Sequence, residues 1–329
     1  MTTYCAGIIG LGQIGCLIDD DPARDVLWSH AGAYERHSEI EVAAVCDVEQ
    51  SGLDGYRQRY GSARQYRDYR EMLATEKLDI VSVCTPTASH GDVVHAALEA
   101  GSVKAVFCEK PMALTAAAAR PIVEACRHRG VVLAVNYMRR WDPVYLAVQD
   151  LLASGSLGQL RTITAYGATA LLTSTSHLID TMLMFGGPAA WVCGDLQEDF
   201  VRQVHNDKDP GGVALIKFQN NTHGFLKGTS ASRRHYMFDL DLLLTEGRIV
   251  IAEDGRCLRT YRFELVDTPT GSGYMSLVPL ESAGSPPPGE RMLNALDDIL
   301  DCIRTGRAPR SNGETATAVL ELISGIKES

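Results

Sequence analysis

Three glycines offer the first chemistry. Gly10-Leu11-Gly12-Gln13-Ile14-Gly15 directly follows the apolar run 4–9. In that context the first glycine permits a tight turn, the second lets a pyrophosphate approach the main chain, and the third allows close packing of the following helix, whose N-terminus favours negative charge. Asp47 ends the next apolar run, where a carboxylate accepts hydrogen bonds from ribose hydroxyls and repels a 2′-phosphate, so NAD is expected rather than NADP. The separation from Gly10 to Asp47 exceeds the usual offset of about 20 residues. Asp19-Asp20-Asp21-Pro22 accounts for this, because a proline and clustered aspartates must interrupt the first helix with a loop. Thr85-Pro86 closes another strand-like run, and a turn there would line a cofactor crevice. His90 opens the next helix, as a crevice residue or as a solvent-facing helix end.

Glu109-Lys110-Pro111 closes a further apolar run. Together with the glycine loop, Thr85-Pro86 with His90, the segment from Asn136 to Trp141 and His177-x-x-Asp180, it resembles the Gfo/Idh/MocA oxidoreductases over nearly the whole chain. The resemblance implies a Rossmann domain followed by an open-sheet domain, and NAD-dependent redox chemistry at one carbinol of a sugar, cyclitol or nucleotide-sugar. It makes Lys110 the catalytic lysine, and the chemistry agrees: an ammonium beside a carbinol oxygen stabilises developing alkoxide and passes a proton. It makes His177 the proton partner, a role suited to imidazole near neutral pH. It also implies a cis Lys110–Pro111 bond.

Many relatives carry an aspartate four residues before that histidine; here the position is Thr173, a hydroxyl that hydrogen-bonds but takes up no proton. Tyr166 in the preceding strand is the candidate acid, against a reading as a half-buried strand aromatic. Cofactor contacts are expected from Gly10, Gly12, Gln13, Ile14, Gly15, Asp47, Thr85, Pro86, His90, Glu109, Lys110, Asn136, Arg140 and Trp141. Substrate contacts are expected from Lys110, Arg139, Thr173, His177, Arg233 and Tyr236. The cluster holding Arg233 and Tyr236 also reads as a solvated turn. Two other functions fit the same fold, a non-catalytic NAD-binding regulator and a glycosidase-like enzyme that recycles its NAD.

The elements that must position these residues form two textures. Runs 4–9, 41–46, 79–84, 104–108 and 131–135 are short and apolar on both faces, and helical stretches at 29–37, 66–75, 90–100 and 115–129 separate them. Such alternation predicts a doubly wound parallel sheet with right-handed crossovers, assigned to residues 1–137. From 138 to 329 an α/β domain is expected: helices at 143–154 and 176–185, and strands at 160–170, 189–194, 212–219, 222–229, 236–245, 247–252 and 257–265 in an open, largely antiparallel meander. In 236–245, Phe238, Leu240, Leu242 and Leu244 share one face and Asp239 and Asp241 the other. The polar side of this sheet is solvated or the interface of a homo-dimer or homo-tetramer. A proline-rich loop and helices at 290–304 and 314–327 close the chain.

With 329 residues and about 150 per domain, two domains are the natural division. The net charge of −10 repels nucleic-acid backbones and anionic membranes. The nine scattered cysteines never form a C-x-x-C pair and suggest core residues of a reducing compartment, with no metal site. No basic leader precedes the first strand and no run approaches about 18 apolar residues, so a cytoplasmic protein with a small-molecule polyol or sugar substrate is expected.

Overall fold

The structure is a computed structural model and describes residues 3–22, 26–204, 207–229, 237–267, 271, 273–280 and 289–329. The chain divides into two compact units, residues 1–141 with 290–318, and residues 142–289 with 319–329. The first crossing of the division falls between Trp141 and Asp142, and α8 (Arg291–Thr305) belongs to the first unit.

In the first unit the chain runs β1 (Tyr4–Ile9), α1 (His30–Arg36), β2 (Ile40–Cys46), α2 (Gln50–Tyr60), β3 (Arg64–Tyr66), α3 (Tyr69–Thr75), β4 (Ile80–Val83), α4 (His90–Glu99), β5 (Ala105–Cys108), α5 (Ala116–Arg129) and β6 (Val132–Val135). The sheet order is β3-β2-β1-β4-β5-β6, parallel throughout, so the winding reverses between β1 and β4. Strands β4 and β5 are buried at every position, as helices on both faces require. Polar side chains fix the helix starts: Ser29 accepts from Gly32 N, Asp68 from Arg70 N and Thr115 from Ala118 N. The first crossover is interrupted as the acidic run predicts. Two short turns, Gln13–Leu17 and Ile18–Asp20, precede a loop whose return to α1 is held by Asp19 Oδ1 accepting from Trp28 N at 2.7 Å.

Two elements differ from expectation. α2 was not foreseen, because its buried residues are only Gly52, Leu53 and Tyr56 and leave a faint apolar stripe. The stretch expected as helix from 66 begins instead with the three-residue strand β3, and α3 starts at Tyr69. After β6 a short turn, Met138–Trp141, brings Trp141 under α8. Its indole Nε1 donates to Asp298 Oδ2 at 2.8 Å, and Asp298 also accepts from Arg307 Nη2 at 2.7 Å and Arg310 N at 2.9 Å.

The second unit contains α6 (Pro143–Ser154), β7 (Leu160–Gly167), α7 (Ser176–Gly186), β8 (Ala189–Val204), β9 (Asp207–Phe218), β10 (His223–Gly228), β11 (Phe238–Leu244), β12 (Gly247–Ala252), β13 (Cys257–Val266) and β14 (Tyr274–Pro279). The final helix, α9 (Gly313–Glu328), spans the last crossing of the division. The strands form one sheet, β14-β13-β12-β11-β7-β10-β9-β8, antiparallel except for the β7–β10 pair. The expected meander is thus two meanders with β7 inserted between them. β8 and β9 also extend well beyond the expected runs, since their outer halves carry too few apolar residues to announce a strand. β11 alternates as expected: Phe238, Leu240, Leu242 and Leu244 are buried, Asp239 and Asp241 are half-exposed, and Arg248 pairs with Asp241. All nine cysteines are free; five of them are buried.

Asp298→Ala leaves the Trp141 indole and the Arg310 amide without their buried acceptor. It should destabilise the protein by about 2–4 kcal/mol in chemical denaturation; a change below about 0.5 kcal/mol, the ordinary surface value, would remove Asp298 from this role.

Candidate cofactor and catalytic site

The glycine loop lies at the carboxyl ends of β1 and β4, where the winding reverses, the location at which open α/β sheets bind ligands. Its three glycines are required for different reasons. Gly10 has φ +94°, and a Cβ there would stand 2.7 Å from the Cys84 carbonyl and 2.8 Å from Thr85 N. A Cβ on Gly15 would lie 2.0 Å from Gly10 O. On Gly12, φ −71°, it would meet no atom within 4 Å. Gly12 is therefore not demanded by the fold; it leaves the main chain bare and exposed, the space a pyrophosphate needs, with Gln13 exposed and Ile14 half-buried beside it. Asp47 reaches this loop across the sheet despite its sequence offset: Oδ2 accepts from Leu11 N at 2.7 Å and Oδ1 from Glu49 N at 2.8 Å. Both carboxylate oxygens keep further acceptor capacity.

The next two motifs follow the neighbouring strands. Thr85-Pro86 succeeds β4 and Glu109-Lys110-Pro111 succeeds β5, with Lys110–Pro111 cis. His90 joins these turns. Its Nε2 donates to Thr85 O at 2.8 Å, and Nδ1 lies 3.1 Å from Pro111 O. It is 1 % exposed, so the expected cofactor contact or solvent-facing end is replaced by an internal clamp whose ring nitrogens face main-chain carbonyls. Burial pushes its pKa below the usual imidazole value against those carbonyls, so the ring is neutral and donates once.

Glu109 is buried and takes three hydrogen bonds: Lys110 N to Oε2 at 3.2 Å, His30 Nε2 to Oε1 at 3.1 Å and Asn136 Nδ2 to Oε1 at 2.6 Å. Burial alone would raise its pKa; the His30 bond, the charges of His30 and Lys110 and the Asn136 bond together pull it below the usual carboxylate value. Behind His30, Nδ1 stands 2.7 Å from Ser82 Oγ, and Ser82 Oγ 2.8 Å from the Tyr34 hydroxyl. His30, Tyr34 and Ser82 are not among the residues expected from the sequence. The available signal was weak, a His-x-x-x-Tyr spacing that puts two polar rings on one face of a helix. Asn136 is 1 % exposed, and its Oδ1 has no hydrogen-bond partner among the described residues. Arg139 is buried and Arg140 half-buried. Trp141 is 1 % exposed, with its indole N–H committed to Asp298 and its ring edge-on to Phe107, so its side chain serves the core and not the expected cofactor contact.

In the second unit Thr173 and His177 occupy the turn Leu171–Thr175 and the first turn of α7, both half-buried. Although position 173 carries no acid, a carboxylate is present at this turn. Asp209 of β9 is 1 % exposed and accepts from Leu172 N at 2.8 Å and Thr173 N at 3.1 Å. Burial pushes its pKa above the usual carboxylate value against those amides. Tyr166 is a correction. In β7, Ile163 and Ala165 are buried and a Cβ on Gly167 would meet Leu178 of α7, so the period of two puts Tyr166, 39 % exposed, on the face that α7 does not cover. It is not the acid expected beside His177. Arg233 and Tyr236 lie outside the described residues.

Fold and loop define a dinucleotide-binding doubly wound domain joined to an α/β unit with an eight-stranded, mostly antiparallel sheet. Residues 6–137 match the model of the Gfo/Idh/MocA oxidoreductases, described as an oxidoreductase family with an NAD-binding Rossmann fold. D-apiose dehydrogenase of Paraburkholderia graminis is 39 % identical over 130 residues, 40 % of this chain and 34 % of that protein. Inositol 2-dehydrogenase of Salmonella paratyphi B is 35 % identical over 162 residues, 48 % of this chain and 44 % of that protein. The matched stretches thus span less than half the length of these curated relatives. An NAD-binding oxidoreductase from Klebsiella pneumoniae shares the fold with a TM-score of 0.80 at 19 % identity, over 100 % of this chain and 97 % of that one. Among the described residues no group of three or more His, Cys, Asp or Glu is placed to hold a metal ion, and no helix is long and apolar enough to cross a membrane.

Two carriers of pH-dependent stability lie in the first unit. The unfolded chain binds a proton at His90 near pH 6.5 that the native protein resists, so stability falls as pH drops below about 6.5. Glu109 contributes stability above its unfolded pKa of about 4.3 that is lost as pH falls through its lower native value. Melting temperatures across this range should decline in two stages, with His90→Gln flattening the upper one; an unchanged upper stage would remove His90 from this account.

Proposed function

We propose that the protein is an NAD-dependent oxidoreductase that moves a hydride between the nicotinamide and a secondary carbinol or ketone of a sugar, cyclitol or nucleotide-sugar. The observation that carries this reading is the bare main chain at Gly12 on the same sheet edge as Lys110, two strand spacings or about 10 Å across from β1 to β5. The residues fit the cofactor: Gly10, Gly12, Gln13, Ile14 and Gly15 would hold the pyrophosphate, Asp47 the adenine ribose, and Thr85, Pro86, Glu109, Asn136 and Arg140 the remainder. When bound, NAD supplies the two-electron acceptor or donor. Asp47 disfavours a 2′-phosphate, so NADP should bind more weakly.

Lys110 stabilises the negative charge that develops on the carbinol oxygen, and His177 exchanges the hydroxyl proton. Arg139, Thr173, Arg233 and Tyr236 are the further residues assigned to substrate recognition in this proposal. With threonine at 173, the acid in this region is Asp209, which fixes the turn that leads into the His177 helix. A cytoplasmic location accompanies this reading, as nine free thiols suit a reducing compartment.

A homo-oligomer through the second sheet is part of the same proposal. Leu215 and Phe225 are paired neighbours in β9 and β10 and stay 37 % and 46 % exposed, with Trp191 at 48 % in β8. An apolar patch of this kind on an open sheet suits a second copy of the chain. Light scattering should give at least a dimer, and Phe225→Asp should lower the mass; a wild-type monomer at micromolar concentration would discard the interface.

Activity is tested by NADH fluorescence over a panel of inositols, free sugars, sugar phosphates and nucleotide-sugars. Lys110→Ala should lower kcat by about 100-fold or more while leaving NAD binding intact. Gly12→Ala should weaken NAD binding by about tenfold or more, about 1.4 kcal/mol, without moving the melting temperature. Undiminished turnover in Lys110→Ala would sink the lysine assignment. NAD binding without turnover on any member of the panel would point to the regulator, and product without net NADH to the recycling enzyme.

A further inference from the structure

A buried polar chain stands behind Glu109. A carboxylate that accepts from Lys110 N, Asn136 Nδ2 and His30 Nε2 carries no proton of its own, so the His30 hydrogen sits on Nε2. His30 Nδ1 stands 2.7 Å from Ser82 Oγ. Ser82 Oγ in turn receives the Tyr34 hydroxyl at 2.8 Å, and burial holds that phenol protonated. The chain runs Tyr34, Ser82, His30, Glu109 and ends at the residue that precedes Lys110.

All four residues are 6 % exposed or less, and His30 lies 4.4 Å from the Phe107 ring, so these bonds lie in largely apolar, buried surroundings. An ionised carboxylate in such surroundings persists only when each oxygen is engaged. The arrangement spends four buried polar groups on one negative charge, and that charge meets the main chain at Lys110.

We propose that His30 is a positioning residue for Lys110: its imidazole fixes the Glu109 carboxylate, which anchors the Lys110 amide and attracts the Lys110 ammonium, so that the lysine is held charged and in one place. This rests on the reading of Lys110 as the group that acts on the substrate oxygen. His30 itself touches neither substrate nor cofactor in this scheme; it acts through Glu109.

The test compares His30→Leu, His30→Gln and Lys110→Ala in the full-length protein. His30→Leu keeps the volume and removes the donor, whereas the amide of His30→Gln can still donate to Glu109. His30→Leu should lower kcat, read at saturating NAD, by about tenfold or more, the loss of one charge-assisted hydrogen bond in an ordered site. His30→Gln should recover most of that loss; a role in packing alone would rank the two variants the other way. A second measurement needs no substrate: acylation of Lys110 by acetic anhydride at one fixed pH, followed by mass spectrometry. Without the His30 donor the carboxylate is held less firmly against Lys110 and its attraction for the ammonium weakens, so Lys110 should label faster in His30→Leu than in the wild type.

Loss of turnover in Lys110→Ala with wild-type kcat and wild-type labelling in His30→Leu would overturn the proposal and leave the lysine reading standing. Retained turnover in Lys110→Ala would overturn the lysine reading, and the labelling rate alone would then decide whether His30 governs Lys110. If His30→Leu does not fold, Ser82→Ala breaks the chain one bond further back, and wild-type kcat and labelling there would equally overturn it.

Discussion

The approach of bare main chain to bare main chain, where β1 and β4 part, is the constraint on which the first unit depends. No side chain fits between Gly15 and the Gly10 carbonyl, or between Gly10 and the end of β4. The loop is therefore pinned against the strand edge by atoms every residue possesses. That contact sets the height at which everything else along the edge emerges: Asp47 can reach the Leu11 amide, Thr85 follows directly, and Lys110 rises one strand further on. A loop with side chains at these points would stand away from the sheet and take the edge out of register.

The same edge shows how buried charge is used. Isolated in an apolar interior, a carboxylate costs several kcal/mol. Glu109 offsets that cost with three donors, and Asp209 in the other unit is held by two main-chain amides. In both cases the carboxylate receives the backbone of a turn expected to carry chemistry, directly at Lys110 and at Thr173, four residues before His177. A rigid anion under a loop fixes the loop without placing a bulky group in the crevice above it. The pKa directions differ in which influence prevails: at Glu109 the His30 bond and charge, the Lys110 charge and the Asn136 bond outweigh burial, whereas at Asp209 burial outweighs the Leu172 and Thr173 amides and the Lys327 charge.

Much of this was legible in the residues, and the legible parts share a cause. Where the backbone itself needs a particular residue type, the need leaves a trace: the glycines, the cap residues, the proline after Lys110 and the aspartate run that splits the first helix. The sheet of the first unit was readable because strands covered on both faces are apolar at nearly every position. What escaped has the opposite character. His30, Tyr34 and Ser82 are ordinary residues made special by what lies opposite them, and their partners are 48 to 79 positions away. The insertion of β7 between two meanders is a matter of strand order, which no local pattern encodes. Tyr166 was assigned by residue chemistry, yet the period of its strand turns it to the other face; Trp141 and His90 were placed in the crevice by adjacency in sequence, while burial and geometry turn them inward.

The placement of α8 has a consequence for how the molecule comes into being. Trp141 and Asp298 stand 157 positions apart, with most of the second unit strung between them. During synthesis the first unit emerges early but lacks the helix that covers β6 and α1, so its core stays open until nearly all of the chain has left the ribosome. Cutting the gene at the apparent domain border would accordingly yield a fragment with an uncovered flank, and a chaperone that shields that flank during translation would have far longer to act than the size of the fold suggests.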